Sequence, residues 1–303
     1  MSLRRHVASG RGRPFAIPLV LGASLLAGIV TGSLEGAIDR WISLLLLFPA
    51  LIGAAAGGLA GVMIHRHQLR APALAMALGV AGGAAGYVAI HVVDYVRFRA
   101  DIADAMHARN PGAPESGLSA AVDGALRAET GHDGFVGFLT FAARQGVTIK
   151  RVGVGDPGLT LPGAGAWAVW ALELLFAAGA AGFLARARAR EPFCERCEDW
   201  YGAPSPVASG GDASSAARKR FVTALGDGDL EAAATAFVGP RGRRANFALS
   251  SARCPRCDAD LYCALRRVSA RRAAHAPELE AWLMSNDELA RLGAAITRRR
   301  AAT

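Results

Sequence analysis

Four times along this chain the polar positions fall away for about the length of a bilayer crossing. The runs are "FAIPLVLGASLLAGIVTG" at 15–32, "WISLLLLFPALIGAAAGGLAGVMI" at 41–64, "APALAMALGVAGGAAGYVAIHVV" at 71–93 and "GAGAWAVWALELLFAAGAAGFLA" at 163–185. A hydrocarbon core about 30 Å thick takes about 20 helical residues. None of the runs holds Lys or Arg, and a carboxylate occurs only in the fourth, at Glu173. A buried helix of a soluble protein usually keeps a polar stripe, and these runs keep none. The pattern predicts an α-helical integral membrane protein: three spans within 1–93, a polar segment 94–162, a fourth span at 163–185 and a polar tail 186–303. The hydrophobic share of 52% suits spans joined to polar parts.

Arg4, Arg5, Arg11 and Arg13 precede the first run, as they would in a secretory signal. That run is longer than a typical signal core and a second follows at once, so it is expected to stay. Positive charge near the spans sets orientation. The N-terminal arginines, Arg66 and Arg70 between spans two and three, and Arg186, Arg188 and Arg190 after span four share one side. The connection 33–40 holds Glu35, Asp39 and Arg40 and falls on the other side with 94–162. The expected topology has both termini cytoplasmic in a bacterial plasma (inner) membrane. Arg97, Arg99, Lys150 and Arg151 run against it, on a long loop where the rule weakens.

All five cysteines then fall on the reducing side, where thiols are free to bind metal. Cys194/Cys197 and Cys254/Cys257 form two Cys-x-x-Cys turns, each offering a pair of thiolates, and a tetrahedral structural zinc takes four. Two alternatives stand beside this: a redox dithiol at Cys254 and Cys257, and thiols without a ligand role. Cys263 is the odd sulfur, read as a small buried hydrophobe or as a substitute ligand. The turn "CPRC" followed by "DADLYCALRRV" resembles a zinc-ribbon knuckle leading into a strand, with Leu261, Cys263 and Leu265 on one face. That resemblance implies a metal and a small zinc-ribbon-like α/β fold. The chain as a whole resembles bacterial polytopic membrane proteins of similar layout, which implies no mechanism.

Residues 198–253 separate the knuckles, a long gap that predicts an insertion. It reads as a flexible linker at 201–215, then a helical hairpin: 214–225 with Phe221 and Leu225 on one face, and a second helix capped by Asp229. "SNDE" at 285–288 is a capping box, predicting a helix to about residue 297 that ends near Arg298–Arg300. The tail carries 20 Lys and Arg against 14 Asp and Glu. Arg241, Arg243, Arg244, Arg253, Arg256, Arg266, Arg267, Arg271 and Arg272 crowd the second knuckle and are candidate contacts for an anionic partner. Lipid head groups are favoured over nucleic acid, because few aromatics interleave for stacking.

Within the spans Glu173 stands out, because a carboxylate in hydrocarbon needs a partner. Trp170 and, less squarely, Trp167 share its helix face, and Tyr87 and His91 on span three are the candidate partners. The cluster is either functional or a structural hydrogen bond. Glycines at Gly28/Gly32, Gly53/Gly57/Gly61, Gly79/Gly83 and Gly82/Gly86 predict close helix packing, in the bundle or in a homo-oligomer; a sliding or pore-lining interface is the alternative. In 94–162 a helix is expected to end at Gly146 before a short strand, with Phe135, Phe138 and Phe141 facing a small core or head groups. The sequence of that segment shows no metal cluster, with His107 and His132 isolated. "GVGDPG" at 153–158 lacks the following Lys-Ser/Thr of a phosphate loop.

Three functions remain open. The first is a membrane scaffold or adaptor whose tail docks a cytosolic protein, favoured because no nucleophile–base pair or catalytic carboxylate pair stands out. The second is a small transporter or proton-coupled channel centred on Glu173. The third is a membrane thiol oxidoreductase.

Overall fold

The computed structural model describes residues 4–38, 47–109, 115–149, 158–240, 246–257, 260–268 and 278–302. In chain order the first elements are β1 (Arg4–Arg5), α1 (Ala16–Ile38), α2 (Leu47–His67), α3 (Pro72–Arg109), α4 (Glu115–Thr130) and α5 (Gly134–Gln145). Next come β2 (Val147–Ile149), β3 (Leu159–Leu161), α6 (Ala164–Ala189), β4 (Phe193–Cys194), β5 (Asp199–Trp200) and β6 (Ser205–Asp212). The chain ends with α7 (Ser215–Gly226), α8 (Leu230–Val238), β7 (Asn246–Ala252), β8 (Leu261–Val268), β9 (Glu278–Met284) and α9 (Asn286–Ala301). Two compact units result: Gly10–Arg190, and Met1–Ser9 together with Glu191–Thr303.

In the helical unit, α1, α2, α3 and α6 are long and apolar enough to cross a membrane. All four run past the C-terminal ends of the hydrophobic runs that predicted them, α1 and α3 the furthest. α1 continues through Glu35, and α3 continues past residue 93 to Arg109. Hydropathy drops at 94, but nothing breaks the helix there, and Tyr95, Phe98, Ile102 and Met106 keep a helical spacing. That extension packs with α4 and α5 around Val122, Leu126 and Phe138, with Phe135 and Phe141 at the edge. The three phenylalanines therefore serve a small protein core. α5 stops at Gly146, whose φ of 89° suits glycine and whose N–H donates to the Ala142 carbonyl, and β2 follows, antiparallel to β3. "GVGDPG" lies outside the described residues except Gly158.

Small residues face inward in this unit. A methyl group at Gly28 would collide with the Gly82 carbonyl, and one at Gly32 with the Gly86 carbonyl, so α1 and α3 meet backbone to backbone. Gly53 and Gly57 of α2, and Gly79 and Gly83 of α3, lie against Ala177 and Ala181 of α6 in the same way. The glycine repeats are thus used within one chain. Large apolar side chains point outward instead, among them Leu26, Leu51, Leu175 and Phe183.

The second unit is built on a five-stranded antiparallel sheet of order β1-β9-β8-β7-β6. Along β8, Leu261, Cys263 and Leu265 enter a core with Phe221, Phe237, Phe247, Trp282 and Leu292, drawn from α7, α8, β7, β9 and α9. Tyr262 and Ala264 face the other way, against Ala252, Ala281 and Tyr201. Ser214 caps α7 and Asp229 caps α8. The Ser285/Glu288 capping box opens α9, which runs to Ala301 with Arg298, Arg299 and Arg300 in its last turn.

Two expectations need correction. Residues 205–212 are not a flexible linker but the edge strand β6, paired with β7 through two irregularities in register. An edge tolerates Pro206, since one side of the strand needs no ladder bond. Gly210 and Gly211 mark a close approach: a methyl group on either would strike the Phe237 or Gly239 carbonyl. The N-terminal residues, grouped with the first span by sequence, belong to the sheet. Arg4 and Arg5 pair with Leu283 and Trp282 of β9, and their side chains form ion pairs with Asp260 (3.2 Å) and Glu280 (2.9 Å).

Candidate metal centre

β4 and β5 form a small hairpin, Phe193 opposite Trp200 and Cys194 opposite Asp199, with Cys197 in its turn. The two rings meet edge to face, 5.0 Å between centroids, and both side chains are buried. That apolar pair holds the hairpin closed, and Glu198 takes a left-handed φ of 51° to complete the turn. The second knuckle lies between β7 and β8. The Gly202 N–H donates to the Arg253 carbonyl at 2.9 Å, and Arg256 Nε pairs with Asp199 at 2.9 Å. These contacts clamp the two turns against each other.

The Sγ atoms of Cys194, Cys197, Cys254 and Cys257 all lie within 4.8 Å of one another. Cys194 and Cys257 are 3.8 Å apart, far beyond a disulfide's roughly 2.05 Å. Four sulfurs at the Zn–S distance of about 2.3 Å, placed at the corners of a tetrahedron, are separated by about 3.8 Å. The group could therefore hold a metal ion such as zinc. It is consistent with a zinc-ribbon-like module in which β6, α7, α8 and β7 lie between the knuckles.

Crowding sets the electrostatics of these thiols. Burial raises the Cys194 thiol, and the hydrogen-bonded Cys257 sulfur together with lost hydration pushes Cys197 up to about 12. Crowded thiols resist ionising together unless a divalent cation balances them. A redox dithiol needs a cationic neighbour that lowers its thiol, and Arg256 is turned to Asp199. Cys263 stands apart from the four, wholly buried in the sheet core, where burial pushes it up to about 12. The small-hydrophobe reading fits its position.

Of the arginines proposed for an anionic partner, Arg241, Arg243, Arg244, Arg271 and Arg272 lie outside the described residues. Arg267 is exposed, and Arg266 lines a cavity of about 290 Å³ with Tyr201, Tyr262 and Glu278. In the helical unit the Tyr87 hydroxyl donates to Glu173 Oε2 at 2.9 Å. The His91 ring lies 5.0 Å from Tyr87 and 5.1 Å from Trp170, and Trp167 follows at 5.1 Å from Trp170. All four residues singled out in the spans, Tyr87, His91, Trp170 and Glu173, come together. Sequence alone missed the Arg256–Asp199 clamp, and it missed Glu35 and Asp94, which lie within electrostatic reach of Tyr87. Glu35 and Asp94 sat in stretches read as connections, and only the continuation of α1 and α3 brings them near. No protein-family model, curated protein or solved structure shows detectable similarity to this chain.

Proposed function

We propose that this chain is a four-span protein of a bacterial plasma membrane that presents a zinc-stabilised cytoplasmic domain as a docking module for a cytosolic protein. The cysteine cluster carries the reading. A zinc ion there would fasten the β4–β5 hairpin to the turn between β7 and β8, giving a small domain that polar sequence alone would not hold rigid.

The inverted packing supports insertion, with glycine and alanine inside and leucine and phenylalanine outside. Buried Ala16, Ile64, Ala75 and Ala189 pack together at one end of the helical unit, beside Arg11, Arg13, Arg66, Arg70, Arg186, Arg188 and Arg190. That concentration supports a cytoplasmic assignment for this end. The β1–β9 pairing agrees with it, because four crossings return the chain to the side from which it began. Two arginines that ran against the topology have local uses. Arg97 donates to the Gly36 and Ala37 carbonyls at the end of α1, and Arg99 to the Tyr95 hydroxyl.

Membrane-impermeant maleimide added to intact cells should leave all five cysteines unmodified, and should react with the four clustered ones only after permeabilisation and chelation. Labelling in intact cells would put the tail outside and end this reading. Affinity capture from detergent extracts should recover a defined cytosolic protein with the parent chain and lose it when residues 191–303 are deleted. An unchanged partner set would exclude the docking role.

A further inference from the structure

We propose that Glu173, Tyr87 and His91 form a proton-binding site inside the helical unit, which exchanges its proton through the end of the unit marked by Glu35, Asp94 and Arg97. The proposal rests on the reading of these helices as membrane spans.

Tyr87 and His91 are one turn apart on α3 and so share a face, and α6 brings Glu173 to it. Tyr87 is 5% exposed, and its hydroxyl donates to Glu173 at 2.9 Å. Ile52, Ile90 and Ala177 pack around it with Trp170 and Leu174. An anion in such surroundings has few solvating dipoles, so taking up a proton is the inexpensive way to remove its charge. The step needs no co-reactant. A proton adds to one oxygen of the Glu173 carboxylate, and the Tyr87 hydroxyl goes on donating to the other.

The neighbouring elements offer one direction for exchange. α2 has no titratable group between 47 and 64, α6 has none but Glu173 between 164 and 185, and β2 and β3 have none. α5 contributes Arg144, which is turned to Glu129. Among the described residues of these elements, the polar groups therefore continue along α3 and α1. His91 comes first, then Asp94 three residues on, Glu35 opposite, and Arg97 bonded to the Gly36 and Ala37 carbonyls. A metal cation is not the ligand these groups suit. Among the described residues the cysteine cluster is the group whose ligand atoms converge to metal distance.

The test is infrared difference spectroscopy of the full chain in lipid vesicles as pH is varied, on the parent and on Glu173→Gln, Tyr87→Phe and His91→Gln. Gln at 173 still accepts from Tyr87, which keeps the fold. The parent should show a protonated-carboxyl band that grows as pH falls, is absent in Glu173→Gln and is displaced in Tyr87→Phe. In His91→Gln its exchange with deuterium oxide should slow by about a hundredfold, the scale of a lost proton-transfer group. A band independent of pH would mean a permanent structural hydrogen bond. A band surviving in Glu173→Gln, unmoved in Tyr87→Phe, or exchanging equally fast in His91→Gln would likewise overturn the site. Retention of the chain in membranes after alkaline extraction is scored alongside, so failure of the span reading is told apart from failure of the proton site.

Discussion

Replacing Cys254 with serine should cost the tail its metal. A serine hydroxyl is a poor ligand for zinc, and loss of even an outer-shell partner weakens such sites by about 10–100-fold. Loss of a direct ligand should exceed the top of that range. Metal per chain, measured by atomic emission on purified protein, should fall from one zinc to a small fraction. The hairpin of β4 and β5 should loosen with it, because Cys194 and Cys197 tie it to the cluster. Cys194, Cys197 and Cys257, slow to alkylate in the parent until a chelator is added, should react at once. Cys263→Ser is the control. It places a hydroxyl in a core with Leu265 and Trp282, at a cost of about 1–3 kcal/mol, yet should leave metal content unchanged. Full zinc in Cys254→Ser, or lost zinc in Cys263→Ser, would reassign the ligands.

The second large effect concerns one methyl group. Gly32→Ala should destabilise the helical unit, since the new carbon would meet the Gly86 carbonyl and α1 would have to move off α3. Overpacking of this kind costs about 1–3 kcal/mol when side chains can adjust, and here the obstacle is backbone. Gly22, Gly58 and Gly179 lie in α1, α2 and α6 with open space around the missing carbon. Alanine there should be neutral or slightly stabilising, by up to about 1 kcal/mol. Thermal unfolding in detergent compares the two sets. Equal behaviour would mean that α1 and α3 are not in contact at these glycines.

Much of the candidate metal site was legible in the residues. Cys-x-x-Cys is a local geometry, so two such turns offer four candidate ligands whatever the chain does between them. Cys263, at its alternating position on β8, could be placed beside the leucines of the core by period alone. The clamp between Arg256 and Asp199 was hidden, because two charged residues separated by so much chain carry no mark of their pairing. For Glu173 the need for a partner was visible and the partners were guessed from depth along α3; the hydrogen bond to Tyr87 depends on how α3 and α6 cross.

What the sequence determined by itself are the properties that depend on a few consecutive residues: four apolar helices, the stop at Gly146, the caps at Asp229 and Ser285, and the thiol pairs. Tertiary structure decided what depends on pairing distant segments. A stretch rich in glycine, serine and proline became the edge strand β6, because β7 supplies its ladder and α8 needs the space above Gly210 and Gly211. An arginine-rich N-terminus became a strand on β9, because Asp260 and Glu280 lie where its charges fall. Composition records what a segment prefers alone, and the hydrogen bonds of a sheet edge are supplied by residues far away in the chain.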